Sequence, residues 1–318
     1  MGSLPTEMLE HQPLLRAHCY RMLGHPQDAD DAVQDTYVRA VRGVAGFEGR
    51  SSARTWLVRI ATRVCLDALA ARKRRRMPTE GPPGEPEGPF VPTDPDEWVA
   101  PFPDAWLEPS LPVDEQVELR HRVDLALVTA LQRLPARQRA ALLLAEVFDW
   151  SAAEVADTLG SSVASVNSAL QRARARLGGT VPGRAEVDPI VVARYREAFV
   201  RHDVDALVGL LTDDVTFDMP PLPLWLQGPE RVGRFLRSGP GAHCKGSKVV
   251  PLGDAGYAQY RQGGQVPWAL VFFETRDGRV SAIHHFLDVG TLFPLFGLPD
   301  RLDEESPMSS AAERGLSS

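Results

Sequence analysis

Eleven of the chain's 27 prolines fall between residues 78 and 112, and no helix or strand survives at that density. This stretch forces the 318 residues into separately folded portions, two or three of them at roughly 100–200 residues per domain. It is also the acidic extreme of the chain, because residues 80–118 hold 11 Asp and Glu and no Lys or Arg. On either side the balance reverses, with net charges of +5 over residues 1–79 and +4 over 119–184, and residues 185–318 return to −5. The overall −7 taken whole would argue against nucleic acid. Read by segment, it suggests two nucleic-acid-facing modules on an acidic tether. Trp98, Phe102, Trp106 and Leu107 are out of place in a solvated tether and are candidate docking points.

Several classes are excluded. An apolar content of 43% supports packed cores. No apolar run approaches the roughly 18 residues of a membrane span, so no membrane association is expected. Met1 to His11 shows no secretory pattern. Cys19, Cys65 and Cys244 are odd in number and far apart, which argues against a disulfide framework or structural zinc and for a cytoplasmic setting. No metal-ligand spacing, Gly-rich phosphate loop or nucleophile motif is present, so no metal, no cofactor and no catalytic residue is expected.

Residues up to 77 read as helices. One ends at Gly24, a second runs over about 28–41 with Asp28, Asp30, Asp31 and Asp35 crowding its first turns, and a third covers about 53–75. The third ends in the run Arg72-Lys73-Arg74-Arg75-Arg76. A basic helix end suits the dipole, but five consecutive cations exceed that need, and each one that meets a phosphate releases counterions. Trp56 is either a core anchor or an aromatic wall beside an unstacked base. Helices follow over about 117–132, 136–148, from Ser151, and 163–177. Ser151-x-x-Glu154 is a capping box, Gly160 permits a tight turn, and Ser161 or Ser162 caps the next helix. This is a helix-turn-helix layout, although an ordinary surface helix pair with solvated arginines would look similar. Residues 188–297 change to an α+β pattern, with helices near 190–201, 204–211 and 229–236 and strands near 215–219, 248–252, 257–262, 268–275 and 280–289. Asp277-Gly278 is a hairpin signal. Residues 303–318 are polar and small and are expected to be disordered.

The segment LRAHCYRMLGHPQDADDAVQDTYVRAVRGVAGFEGRSSARTWLVRIATRVCLDALAARKRR resembles region 2 of bacterial sigma-70-type factors. LQRLPARQRAALLLAEVFDWSAAEVADTLGSSVASVNSALQRARARL resembles region 4. With no region 3 between them, the pair resembles the extracytoplasmic-function (ECF) subgroup. RYREAFVRHDVDALVGLLTDDVTFDMPP, WLQGPERVGRFL and the strands ending SAIHHFLD resemble the SnoaL-like group of the ketosteroid-isomerase-type cone. The fold class implied is multidomain: two all-α DNA-binding domains followed by a C-terminal α+β cone. The expected boundaries are region 2 over 5–77, the acidic linker over 78–113, region 4 over 114–178, the SnoaL-like domain over 188–297 and a tail over 303–318.

The resemblance implies a promoter-recognition subunit without chemistry of its own, regulated in cis by the C-terminal domain. Core RNA polymerase, through its β′ clamp helices and β flap, and promoter DNA are the implied partners. An anti-sigma protein and a small-molecule ligand are admitted as well. Asp28, Asp31 and Asp35 match the polymerase-gripping segment. Arg50, Arg54, Trp56, Arg59, Thr62 and Arg63, with Arg72 and Arg74, match the reader of the −10 element. Ser165, Ser168, Gln171 and Arg172 are assigned to bases of the −35 element, and Arg174 and Arg176 to phosphates. The linker is either an occupant of the polymerase channel or a solvated tether. Asp218, Trp225, Tyr260, His284, His285 and Asp288 are the candidate lining of a pocket, although His284 and His285, as strand neighbours, point to opposite faces. Two alternatives remain: a bifunctional protein whose C-terminal domain binds or converts a small apolar molecule, and a plain helix-turn-helix repressor.

Overall fold

A computed structural model describes residues 8–47, 51–72, 74–106, 125–178, 187–238 and 240–302. The chain divides into two compact units. The first joins residues up to Met77 with Asp96–Arg184, and the second joins Pro78–Pro95 with Ala185 onward. The Pro-rich acidic stretch is therefore split between them. The proposed tail at 303–318 lies outside the described residues.

In the first unit, α1 (Gln12–Leu23), α2 (Pro26–Gly43) and α3 (Ala53–Ala70) pack together around Leu15, Tyr20, Val33, Leu57, Ala61 and Cys65. Pro26 opens α2, where its missing N–H costs nothing, and the Ser52 hydroxyl caps α3 by accepting from the Thr55 amide. Gly24 ends α1 in a left-handed conformation, and a Cβ there would sit 3.0 Å from the Gln132 side chain. Only glycine meets both conditions.

The sequence pattern carries α3 to residue 75, but the helix stops at Ala70. Five adjacent cations repel one another on a helix surface. Here Arg75 leaves the helical path and turns inward, 3% exposed, donating to the Leu23 carbonyl and pairing with Asp28. Arg76 and Val99 then exchange backbone hydrogen bonds across a short parallel bridge between Arg76 and Trp98. Trp98 and Phe102 are buried within this unit, Phe102 against Tyr20, and Arg16 lies over the Trp106 ring. Leu107 lies outside the described residues.

Helices α4 (Leu125–Gln132), α5 (Ala136–Val147), α6 (Ala152–Leu159) and α7 (Val163–Arg176) complete the unit. Arg139, on α5, is 2% exposed. Its guanidinium donates to the carbonyls of Leu131 (2.9 Å), Gln132 (3.2 Å) and Leu134 (3.1 Å), and also to the Gln132 side-chain oxygen and the Met22 carbonyl. These are C-terminal carbonyls of α4 and α1, which have no helical partner and sit at the negative ends of the helix dipoles.

The second unit is a six-stranded sheet of order β2-β1-β6-β5-β4-β3. Its strands are β1 (Leu211–Asp218), β2 (Trp225–Gln227), β3 (Lys248–Leu252), β4 (Gly256–Arg261), β5 (Val266–Arg276) and β6 (Arg279–Phe286). Only β1 and β6 run parallel among the paired strands. Asp277 and Gly278 both have positive φ, which gives the β5–β6 hairpin its tight turn. One face carries Phe217, Ile283, Val271 and Tyr257 and is covered by α8 (Pro189–Arg201), α9 (Val204–Gly209) and α10 (Pro229–Ser238). On the other, α11 (Val289–Leu295) brings Phe293 against Tyr260.

Residues 78–95 form a strap on this unit. Gly84 donates to the Trp225 carbonyl (2.8 Å), Trp225 Nε1 to the Gly81 carbonyl (2.9 Å) and Thr93 N to the Pro221 carbonyl (2.9 Å). A Cβ on Gly84 would fall 2.3 Å from Leu224 Cδ1, so this close approach needs glycine. Glu85 and Glu87 pair with Arg231 and Arg234 of α10 at 3.3 and 2.6 Å. Neither a channel occupant nor a solvated tether describes residues 78–95 in this structure. Arginines on α10 neutralise part of their charge.

Replacing Arg139 by Met keeps the volume but strands buried carbonyl oxygens. The expected cost is about 3–5 kcal/mol, read as a lower urea midpoint for the helical unit in the full-length chain, with the transition of the sheet unit unmoved.

Candidate nucleic-acid interface and cavity

Helices α6 and α7 are built as the capping residues dictate. Ser151 N donates to Glu154 Oε2 (2.8 Å), and Glu154 N donates back to Ser151 Oγ (3.3 Å). Gly160 then turns the chain with φ +56, and Ser162 accepts from the Ser165 amide to start α7. Val166, Leu170 and Ala173 face inward, which leaves Ser165, Ser168, Gln171, Arg172, Arg174 and Arg176 exposed. Arg174 is ion-paired with Glu146. Val163, expected on the apolar face, is 45% exposed, since the first turn projects beyond the helix pair.

The second cationic surface lies on α3. Trp56 stacks near Phe47, with ring centroids 4.7 Å apart, and stands between two hollows. The larger, about 400 Å³, is lined by Phe47, Ser51, Ser52, Thr55, Trp56 and Arg59, with Glu154 of α6 at its edge. The smaller, about 280 Å³, is bounded by Arg39, Gly43, Trp56, Ile60 and Arg63. An aromatic platform beside hydroxyls and guanidinium groups is the chemistry that holds an unstacked base.

Within this same unit the α3 cations are engaged by the helix-turn-helix portion. Arg54 lies over the Phe148 ring and Arg59 over that of Trp150. Arg59 also reaches Asp157 at 3.5 Å, and Arg63 Nε donates to the Thr158 carbonyl at 3.3 Å. Arg50 lies outside the described residues.

Three of the expected surface groups are placed otherwise. Thr62 is fully buried: its hydroxyl donates to the Val58 carbonyl (2.8 Å) and lies 2.9 Å from His18 Nε2. Burial, then Arg21, depress the His18 pKa to about 3, so this is a neutral contact. It fixes α3 to α1 and leaves Thr62 no route to a base. Arg72 is paired with Asp28, which also takes Arg75. Burial would raise the Asp28 pKa, but the two guanidinium groups hold it below the usual carboxylate range. Asp28 is thus a structural anion that locks the turn after α3. Arg74 is exposed. Asp31 and Asp35 face solvent one turn apart, followed on the same face by Val38, which is 47% exposed.

In the sheet unit, a cavity of about 400 Å³ opens on the face under α8 and α10. Of the six candidate lining residues, His285 faces it. Strand alternation sends Asp218 and His284 to the opposite face, where His284 Nδ1 meets Asp218 Oδ2 at 2.8 Å and Nε2 lies 3.5 Å from Glu274. Tyr260 is also on that face and donates to the Pro299 carbonyl. Trp225 bonds the strap at Gly81, and Asp288 occupies the N-cap position of α11. Sequence reasoning missed Gln259, Arg261 and Trp268, which do line the cavity, and Phe90 and Pro92, which reach it from the strap. The alternation around Tyr257 and Gln259 carried the strand signal, but nothing local marked a proline-rich segment as part of a cavity wall.

Comparison with known proteins agrees with this architecture. The models of Sigma-70 region 2, Sigma-70 region 4 and the SnoaL-like domain match residues 8–75, 124–177 and 192–283. The chain is 42% identical to the ECF RNA polymerase sigma factor SigG of Mycobacterium tuberculosis over 91% of its own length and 82% of that protein's. It is 35% identical to SigM of the same species over 48% of this chain and 63% of that one. The crystal structure of Mycobacterium tuberculosis SigJ superposes with a TM-score of 0.58 at 24% identity, covering 93% of this chain and all of that one. Helical modules with a cationic helix-turn-helix, followed by an α+β cone, define a sigma factor with an appended SnoaL-like domain. The chain belongs to the ECF RNA polymerase sigma factor family.

The His284 cluster sets a pH dependence. Burial alone would lower the His284 pKa, but Asp218, with Glu274 adding, raises it to about 10. An unfolded histidine titrates near 6.5, so the folded form holds the proton more tightly. The stabilisation is complete below about pH 6.5 and is lost as pH rises through about 10. The urea midpoint of the sheet unit should fall across that window in the native chain and stay flat in a His284→Gln variant. Asp218→Ala, which strands the imidazolium, should cost about 3–5 kcal/mol at neutral pH.

Proposed function

We propose that this chain directs RNA polymerase to specific promoters and that its C-terminal domain controls it in cis. The observation that carries the reading is the pairing of two exposed nucleic-acid surfaces in one helical unit: the polar face of α7 and the aromatic hollows around Trp56 on α3. Ser165, Ser168, Gln171 and Arg172 read bases of the −35 element, and Arg174 and Arg176 hold phosphates. Arg54, Arg59 and Arg63 meet the melted −10 strand while Trp56 and Phe47 receive an unstacked base. Arg72 contributes only if Asp28 releases it. Asp31 and Asp35, with Val38, form the face offered to core polymerase. A repressor acting alone has no use for that face or for the hollows, which favours the polymerase-bound reading.

The contacts of Arg54, Arg59 and Arg63 with the α5–α6 portion give a closed form that occupies the −10 reader. Promoter binding requires it to open. The strap links region 2 covalently to residues 96 onward and is itself held by the C-terminal domain, so that domain is placed to influence opening. The chain carries no chemistry of its own in this reading and works in the cytoplasm. Among the described residues no helix is long and apolar enough to cross a membrane.

Three substitutions separate the steps. Asp31→Arg with Asp35→Arg should abolish binding to core polymerase, and retained binding would sink the reading. Trp56→Ala should leave core binding intact but lower open-complex formation by about tenfold, read as permanganate reactivity at the −10 element; base stacking of about 1–3 kcal/mol sets that scale. Arg231→Glu with Arg234→Glu repels the strap and should change transcript yield from core enzyme. An unchanged yield would count against control in cis.

A further inference from the structure

The cavity of the sheet unit is mostly apolar, but three of its polar atoms have no hydrogen-bond partner within the described protein. Gln259 is fully buried and its amide nitrogen donates to Ser247 Oγ (3.1 Å), which leaves Oε1 unpaired. His285 is 7% exposed, stacks on Phe217 and has Nδ1 unpaired. Arg261 lies flat over Trp268, 3.3 Å from the ring centroid, with Nη2 at long range from the Pro240 carbonyl and Cys244 Sγ and with Nε unpaired. Leaving such groups unpaired in a buried site costs about 1–3 kcal/mol each. All three residues line the same cavity of about 400 Å³, a size that suits a small organic molecule.

The walls are aromatic faces from both the cone and the strap. Phe90 lies 6.2 Å from Phe235, centroid to centroid, and with Pro92 it closes one side of the cavity. We propose that this cavity is a receptor site for a flat, mainly apolar molecule bearing adjacent hydroxyl and carbonyl groups, with the strap as part of its wall. The hydroxyl donates to Gln259 Oε1, and the carbonyl oxygen accepts from Arg261 Nε and from His285 in its Nδ1–H tautomer. Burial, then His284 and Arg261, depress the His285 pKa to about 3, so the ring stays neutral and offers one N–H without a competing charge. The apolar body lies between Phe90, Phe199, Phe217 and Phe235. Because Phe90 and Pro92 belong to residues 78–95, an occupied cavity holds the strap down and an empty one leaves it freer to detach.

Hydroxynaphthoic acid is a fluorescent probe of this shape and polarity. It should bind the full-length chain saturably, with one site per chain. Naphthol, which lacks the carbonyl, should bind about tenfold more weakly, because the unpaired Arg261 donor is then not satisfied. Arg261→Met and Gln259→Leu should each weaken the acid by about tenfold, while Arg279→Met, on the hairpin outside the cavity, should not. If Arg261→Met fails to fold, Arg261→Lys keeps the charge and lacks the in-plane donor, and should weaken binding in the same direction. Saturation should slow hydrogen exchange over residues 84–93 in the native chain but not in Phe90→Ala. No saturable binding, or equal affinity across the variants, would overturn the site. Unchanged exchange over the strap would overturn its role as a wall. Any effect on transcription rests on the reading above: saturable binding with strap protection but unaltered transcript yield supports the site and counts against control in cis.

Discussion

The helical unit depends on one buried guanidinium. Arg139 takes up the carbonyls of Leu131, Gln132 and Leu134, where α4 ends and the chain turns into α5, and reaches the Met22 carbonyl at the end of α1. Burial lowers its pKa to about 10, so it remains a cation at neutral pH while it offsets the negative ends of two helices. The Gln132 side chain completes the node, accepting from Arg139 and donating to the Arg21 carbonyl at 3.2 Å. Gly24 is confined to glycine because that amide occupies the space a Cβ would need. Three of the Arg139 bonds lie within the α4–α5 turn and one crosses to α1. The same side chain therefore holds the helix-turn-helix portion together and rests it against region 2.

The acidic stretch shows how charge that looks uniform in sequence is used in two ways. Asp96 and Glu97 stay with the helical unit, where they approach Arg75 and Arg76. Glu85 and Glu87 belong to the strap and face Arg231 and Arg234. These are exposed pairs, screened by salt and individually weak. The strap's position rests more on its backbone bonds to Trp225 and Pro221 and on the Phe90 ring than on its carboxylates. A segment held this way can be released without unfolding either unit.

The helices, the helix-turn-helix caps and the Asp277-Gly278 hairpin were legible because each follows from a local rule: apolar spacing, a hydroxyl before a first turn, two residues that tolerate positive φ. The cationic run at 72–76 misled, since its end as a helix is set by Asp28, more than forty positions earlier. Thr62 misled for a similar reason, because its neighbour His18 comes from another helix. Strand alternation already required His284 and His285 to part, but it could not say which one faces the cavity. That depends on which side the helices cover. The unpaired atoms of Gln259 and Arg261 arise only when β4 is placed beside the strap and α10, and no pattern within β4 contains them.

The closed arrangement of the first unit is built to be opened. The contacts that cover the −10 reader are an ion pair at 3.5 Å, a carbonyl bond at 3.3 Å and cation–π contacts at 5.6 and 5.9 Å. Exposed pairs and cation–π contacts are worth about 0–1 kcal/mol each. When they separate, water takes over the Thr158 and Met22 carbonyls, so neither portion is left with buried unsatisfied groups. The bonds of Arg139 to Leu131, Gln132 and Leu134 survive because they lie on one side of the divide. A closed form held by a few such contacts sits only a few kcal/mol below an open one, which is the range in which a partner that binds only the open form shifts the population. Negative phosphates compete for the same arginines that hold the closed form. Opening and DNA binding therefore draw on one set of side chains, and the closed form suppresses promoter contact in proportion to its own stability.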